Sequence, residues 1–177
     1  MTIHFHVVKD EIDELIEFLT SENWPFHGIE APSPTQIREA FMNHYYTGDS
    51  VKTIWLQYHE QNIGLIRLFD LLDSIALFDL RIRHNYRGKG FGKQALQWLT
   101  HYAFTHYPHL IRIEAHTRVD NFAMRKTLYN CGYIKEGYHR QAWEQGDQLF
   151  DSIVYAMIRS DWENQTRTPI RLHDVDF

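Results

Sequence analysis

Residues 77–104 read LFDLRIRHNYRGKGFGKQALQWLTHYAF, and two periodicities meet inside them. Asp79, Arg81 and Arg83 alternate with Phe78, Leu80 and Ile82, the period of two that marks a strand. After Gly92 the apolar residues Ala95, Leu96, Leu99, Ala103 and Phe104 recur at helical spacing and line one face. Between strand and helix stands Arg87-Gly88-Lys89-Gly90-Phe91-Gly92. Its glycines let the main chain approach a ligand closely, and the first N–H groups of the helix have no partner within it. Those donors, the positive end of the helix dipole and the cations Arg87 and Lys89 favour a phosphate or pyrophosphate.

Spacing narrows the choice of phosphate ligand. A dinucleotide fingerprint needs a third glycine where Lys93 stands, and a Walker A loop needs Gly-Lys followed by Ser or Thr, which this stretch lacks. What remains is [RQ]-x-x-G-x-[GA], supplied by Arg87, Gly90 and Gly92, and here the chain resembles the GCN5-related N-acetyltransferase superfamily. The competing reading is a glycine-rich turn that only joins a strand to a helix. A second segment, Glu114–Tyr133, is similar to the next element of that superfamily: Asn121, Tyr129, Gly132 and Tyr133 fill its places, while Met124 stands where a small residue is usual. The end of the chain, to Trp162, resembles the branch that contains ribosomal-protein N-terminal acetyltransferases.

The resemblance implies an acyl-CoA N-acyltransferase fold, acetyl-CoA as co-substrate without a metal, and a splay between the two central parallel strands that receives the pantetheine arm. It implies cofactor contacts from Ile82 and Arg83 at the strand end, from Arg87, Gly88, Lys89, Gly90, Phe91, Gly92 and Lys93 in the loop, and from Asn121. The implied acceptor is a primary amine, either a small molecule or a peptide N-terminus. A non-catalytic module that binds or senses acyl-CoA is the alternative.

Composition sets outer bounds. A chain of 177 residues that is 44% hydrophobic can bury one substantial core, so a single domain is expected over 1–163, with 164–177 as a polar tail. No long apolar run and no basic leader favours a membrane span or signal peptide, and with Cys131 the only cysteine no internal disulfide can form. A cytoplasmic protein is the natural expectation, with a homodimer allowed. The net charge of −5 argues against nucleic acid and anionic lipid as partners and tolerates a cationic amine.

In chain order, Ile3–Val8 alternates as a strand, Asp10 can cap a helix over Glu11–Thr20, and Ser21–Ser33 is an aromatic-rich loop. Ser33 and Pro34 read as N-cap and first residue of a helix to about Tyr46; Val51–Tyr58 and Ile63–Phe69 form a hairpin around His59–Asn62. A strand over Leu110–His116, a helix over Asn121–Asn130, and strands over Tyr133–Arg140 and Gln148–Arg159 follow. Crossover helices imply parallel neighbours and hairpins antiparallel ones, which together give an α/β fold: a mixed central sheet with helices on both faces.

Acetyl transfer to an amine needs a base for the ammonium proton, donors for the carbonyl oxygen and an acid for the thiolate. Glu114 is the first candidate base, because the resemblance makes a glutamate at this separation from Asn121 functional; pairing with Arg112 or Arg118 is its ordinary alternative. Asp79 is the second, set against a plain ion pair with Arg81 or Arg83. Tyr129 is the candidate acid, or else a packing tyrosine. Trp24, Phe26 and His27 either wall the acceptor pocket or plug the loop. His4 and His6 lack a third metal ligand, and Cys131 sits at a helix end that opposes a thiolate.

Overall fold

The computed structural model describes residues 2–171 and 174. Along the chain they form β1 (His4–Val7), α1 (Ile12–Thr20), α2 (Pro34–Met42), β2 (Val51–Tyr58), β3 (Gln61–Phe69), β4 (Ile75–Ile82), α3 (Phe91–His106), β5 (Arg112–Arg118), α4 (Phe122–Asn130), β6 (Ile134–Gln145), β7 (Gln148–Ile158) and α5 (Arg159–Asn164). The seven strands make one sheet in the order β1-β2-β3-β4-β5-β7-β6, antiparallel throughout except between β4 and β5. This is the mixed α/β architecture expected. Among the described residues no helix is long and apolar enough to cross a membrane.

Alternation along the strands sorts the core into two layers. Ile54 and Leu56 of β2, Ile66 and Leu68 of β3 and Phe78 of β4 pack with Leu96, Leu99 and Phe104 of α3. Trp55 and Leu65 turn the other way and pack with Leu15, Phe18 and Leu19 of α1 and Ile37 of α2. Helices therefore cover both faces, and the side chains of β4 at Asp79 and Arg81 belong to the α1 side. Met124, the departure from the family pattern, is partly buried against the α3 layer.

Local chemistry explains most element ends. Ser33 caps α2 through a full capping box, its hydroxyl accepting from Gln36 N–H at 3.2 Å while the Gln36 amide oxygen accepts from Ser33 N–H at 2.9 Å. At α1 the expected cap is corrected: the helix begins one residue later, and Glu11 turns its carboxylate back onto the N–H groups of Lys9 and Asp10. The β2–β3 hairpin closes on His59 and Glu60 alone, both with positive φ, so β3 starts at Gln61 and not at Ile63. The sixth strand runs on to Gln145 through two register shifts.

The fifth strand begins and ends two residues later than expected, and at its start a side chain takes the carbonyls that precede it. The Arg159 guanidinium donates to the carbonyls of Leu110, Phe104 and Tyr107, holding the end of α3 and the approach to β5 in irregular backbone. The short helix α5, not anticipated from the sequence, begins at Arg159, and the Trp162 ring lies tilted against Phe104 with centroids 5.3 Å apart. Asp161, 4% exposed, accepts from the Thr166 and Thr168 hydroxyls at 3.0 and 2.6 Å and from Thr168 N–H at 2.9 Å. The first part of the expected tail is thus tied back to α5, whereas 172, 173 and 175–177 lie outside the described residues.

Burial alone would raise the Asp161 pKa, but the donors from Thr168 and Thr166 outweigh it and hold the carboxyl below its usual range. A depressed folded pKa contributes stability above the unfolded value that is lost as pH falls towards the folded one. Asp161→Ala should therefore cost about 1–3 kcal/mol at neutral pH, measured by urea unfolding. The gap from wild type should narrow below about pH 4, where unfolded carboxylates take up protons.

Candidate active site

The strand β4 ends at Ile82, a single 3₁₀ turn over His84–Tyr86 follows, and the chain then swings through Gly88 (φ +72°) and Gly90 (φ +86°) into α3. A Cβ added at either glycine would meet nothing within 4 Å, so protein packing does not demand them; the left-handed backbone does. Gly90 is the N-cap of α3 and no side chain caps it. The N–H groups of the first turn consequently face outward with the positive end of the dipole behind them, a geometry that fits a phosphate. Gly92 has a different role: a Cβ there would stand 3.5 Å from Ile82 Cδ1 and 3.8 Å from Thr127, where α3, α4 and the strand end converge.

The cations of this loop point elsewhere than the sequence implied. Arg87 donates through Nε to Ile82 O at 2.7 Å and lies 3.4 Å from Glu22, whose two carboxylate oxygens accept from His84 N–H at 2.8 and 2.9 Å. Arg83 pairs with Glu17 at 2.6 Å and donates to Asn62 O. Both guanidinium groups are engaged with the end of α1 or with neighbouring backbone. In this conformation Lys89 and the uncapped amides are what favour an anion. The signal missed in the sequence is Glu22, more than sixty residues from its partners and in no recognisable motif.

The two parallel strands pair only at Ile75–Arg112, Ala76–Ile113 and Leu77–Glu114. Beyond Leu77, β4 continues to Ile82 and β5 continues to Arg118, and nothing bridges them. Arg83 N–H donates to Ile63 O on β3. Alternation therefore turns the main-chain groups of Phe78, Leu80 and Ile82 to the opposite edge, into this gap. Of these, Ile82 O is taken by Arg87.

Glu114 sits at the closed end of the gap, in register with Leu77 and on the Asp79 face of the sheet. Burial would raise its pKa, but Arg112 at 2.6 Å and His116 at 3.3 Å outweigh that and lower it; Arg112 also reaches Glu136 at 2.5 Å. The ion pair weighed against catalysis is therefore present, and both oxygens of Glu114 are occupied. Asp79 lies on the splayed part of β4. Its Oδ1 is 2.7 Å from His27 Nδ1 and its Oδ2 is 3.3 Å from Arg81 Nε. Burial again opposes ionisation, and His27 with Arg81 overcomes it, holding the carboxyl well below the usual range. The buried Arg81 Nη1 finds no acceptor among the described residues.

The loop that carries His27 crosses the open end of the gap. Arg118, 8% exposed at the end of β5, donates to Pro25 O at 3.2 Å and Gln145 Oε1 at 2.7 Å, pairs with Asp120, and lies over the rings of Phe26 and Phe150. Trp24 does not wall a pocket: it is 1% exposed, stacks on Phe18 and donates to Leu19 O, so it plugs the α1 layer. Phe26 and His27 remain near the gap. Asn121 accepts from Met124 N–H as the N-cap of α4, and its amide nitrogen makes no hydrogen bond among the described residues. Tyr129 is 63% exposed, with Arg167 over its ring. Burial raises the Cys131 thiol pKa, and His6 is held by Glu11.

This arrangement can be compared with known proteins. Two curated relatives are similar over short stretches: an uncharacterized N-acetyltransferase YnaD of Bacillus subtilis (strain 168), 27% identical over 78 residues, and an uncharacterized N-acetyltransferase p20 of Bacillus licheniformis, 32% identical over 78 residues. Each match takes in 44% of this chain and spans less than half of the relative's length, 45% and 43%. Among solved structures, a probable acetyltransferase superposes with a TM-score of 0.76 at 21% identity, covering 90% of this chain and 94% of its own. A spermidine N-acetyltransferase of Vibrio cholerae in complex with CoA and spermine superposes with a TM-score of 0.77 at 19% identity, covering 92% and 98%. At such identities the likeness is one of fold. The family model of the acetyltransferase (GNAT) family matches residues 12–133, from α1 through the glycine loop and the gap to Tyr133, and the chain belongs to that family.

Proposed function

We propose that this protein transfers the acetyl group of acetyl-CoA to a small, positively charged primary amine, by direct attack with both substrates bound. One observation carries the reading: the gap between β4 and β5 opens beside an uncapped helix N-terminus, so a ligand with an amide-bearing arm and a phosphate end finds partners for both. The amides of Gly88–Lys93 would hold the pyrophosphate. The unpaired groups of Phe78 and Leu80 would pair with the pantetheine arm and orient the thioester carbonyl. When bound, acetyl-CoA supplies an acyl carbon open to nucleophilic attack and a thiolate leaving group.

This chain's own residues would do the rest. The free amide nitrogen of Asn121 would reach the arm from the β5 side, and the exposed Tyr129 phenol would deliver a proton to the leaving sulfur. The carboxylates on the acceptor side, Asp79 and Glu114, together with the net charge of −5, suit a cation as acceptor. A peptide N-terminus, the substrate type of the ribosomal-protein branch that the sequence resembles, meets the same chemistry. The fold neighbour crystallised with spermine favours the small amine as the first choice.

Two measurements test the reading. With acetyl-CoA and a panel of aliphatic mono-, di- and polyamines and short peptides, the protein should release CoASH above background, followed with a thiol reagent and confirmed by the mass gain on the acceptor. Binding of acetyl-CoA without release across the whole panel would make the protein a binding module. At the loop, Gly90→Ala should lower stability by about 1–2 kcal/mol through its left-handed backbone. It should also weaken acetyl-CoA binding about ten-fold or more in the folded variant, since one lost hydrogen bond to a charged group is worth about 1.5–3 kcal/mol. Unchanged affinity by calorimetry would exclude the loop as the phosphate site.

A further inference from the structure

We infer that His27 is the general base of the acyl transfer, held in place by Asp79, and that the aromatic loop is the element that brings this base to the gap. The inference rests on the acetyltransferase reading above and goes beyond it by naming the proton acceptor. A base must lie on the acceptor face, next to the opening, with one atom free to take a proton. Three groups compete. Glu114 has the position, but Arg112 and His116 occupy its oxygens. Asp79 has the position as well, but both of its oxygens are engaged, by His27 and Arg81. His27 keeps Nε2 without a hydrogen bond among the described residues, while its Nδ1 stands 2.7 Å from Asp79 Oδ1.

Three contacts fix the imidazole. Its backbone N–H donates to Trp24 O at 3.0 Å, its ring meets the buried Trp24 ring edge-to-face at 6.2 Å, and its Nδ1 faces the carboxylate. The Trp24 plug anchors the loop to the α1 layer and the Arg118 contacts anchor it to β5, so the ring is held from both sides of the gap. The charged and titratable groups around the pair are Arg81 on β4, Arg67 on β3 and Tyr46 after α2, all coupled to Asp79 or to one another. An imidazole with one nitrogen on a carboxylate presents the other as a base and tolerates the charge it then gains.

The step balances as follows. His27 Nε2 takes one proton from the ammonium group, and the freed nitrogen lone pair attacks the acetyl carbon. A C–N bond forms, the C–S bond breaks, and the electron pair leaves on sulfur. Of the two protons the nitrogen loses in becoming an amide, the second ends on the thiolate; the first passes from His27 to bulk water. Asp79 is a positioning residue.

The test uses the full chain and the aliphatic amine that the wild type acetylates fastest. His27→Gln should lower kcat about 100-fold near pH 7, keep the KM for acetyl-CoA within about two-fold, and regain most of the lost rate above the pKa of the amine. Asp79→Asn should lose less rate than His27→Gln while keeping the KM for acetyl-CoA, and Asp79→Glu, which can still face Nδ1, should recover part of that loss. A His27→Gln protein with wild-type kcat, or with a loss equal at every pH, overturns the inference while leaving the acetyltransferase reading intact. If His27→Gln does not fold, His27→Asn and loss of activity on carbethoxylation, slowed by the amine, decide the same question; no slowing would count against His27. Wild type that releases no CoASH with any amine overturns both.

Discussion

The site depends on two strands that agree to pair and then stop. A sheet normally satisfies every interior N–H and C=O, and orphaning even a few of them costs free energy unless water or a ligand takes their place. Here β4 and β5 pair for three residues and then separate, with β3 and β7 holding their outer edges in register. The strands cannot drift back together, because each is pinned along its far side. The opening is therefore a product of sheet topology.

Around that opening the chain distributes charge by pairing nearly every cation. Arg83 and Arg87 are turned to the end of α1, Arg81 to Asp79, Arg112 to Glu114 and Glu136, and Arg118 to Asp120. These half-buried pairs contribute modestly to stability, but they fix directions, since a guanidinium with two acceptors has few alternative poses. Arg118 shows the effect: one side chain joins the end of β5, the β6–β7 wing and the aromatic loop.

What the sequence revealed and what it hid divide along chain separation. The strand-to-helix change around Arg87–Gly92, the helix start at Ser33 and Pro34 and the Val51–Tyr58 strand are local patterns, and there the structure follows the reading closely. At α1 the N-cap expected at Asp10 falls on Glu11, since either carboxylate can satisfy nearby N–H groups. The start of β5 could not be read locally, because Leu110 is as apolar as the strand it precedes and its carbonyl is taken by the side chain of Arg159, far along the chain. The Glu22 partner of Arg87 and the His27 partner of Asp79 follow the same logic, since they arrive only after folding, whereas Arg81 beside Asp79 and Arg112 beside Glu114 are local pairs that the residue types already suggested. Trp24 reads equally as wall or plug until its indole N–H is seen to reach Leu19 O.

The Glu22 carboxylate, seated on the His84 amide and beside Arg87, has a kinetic side. A phosphate drawn to the loop proposed above would meet an acid already in residence, so charge repulsion would act on the encounter before any favourable contact formed, and added salt, which screens repulsion and attraction alike, would change the association rate less than the basic motif alone would lead one to expect.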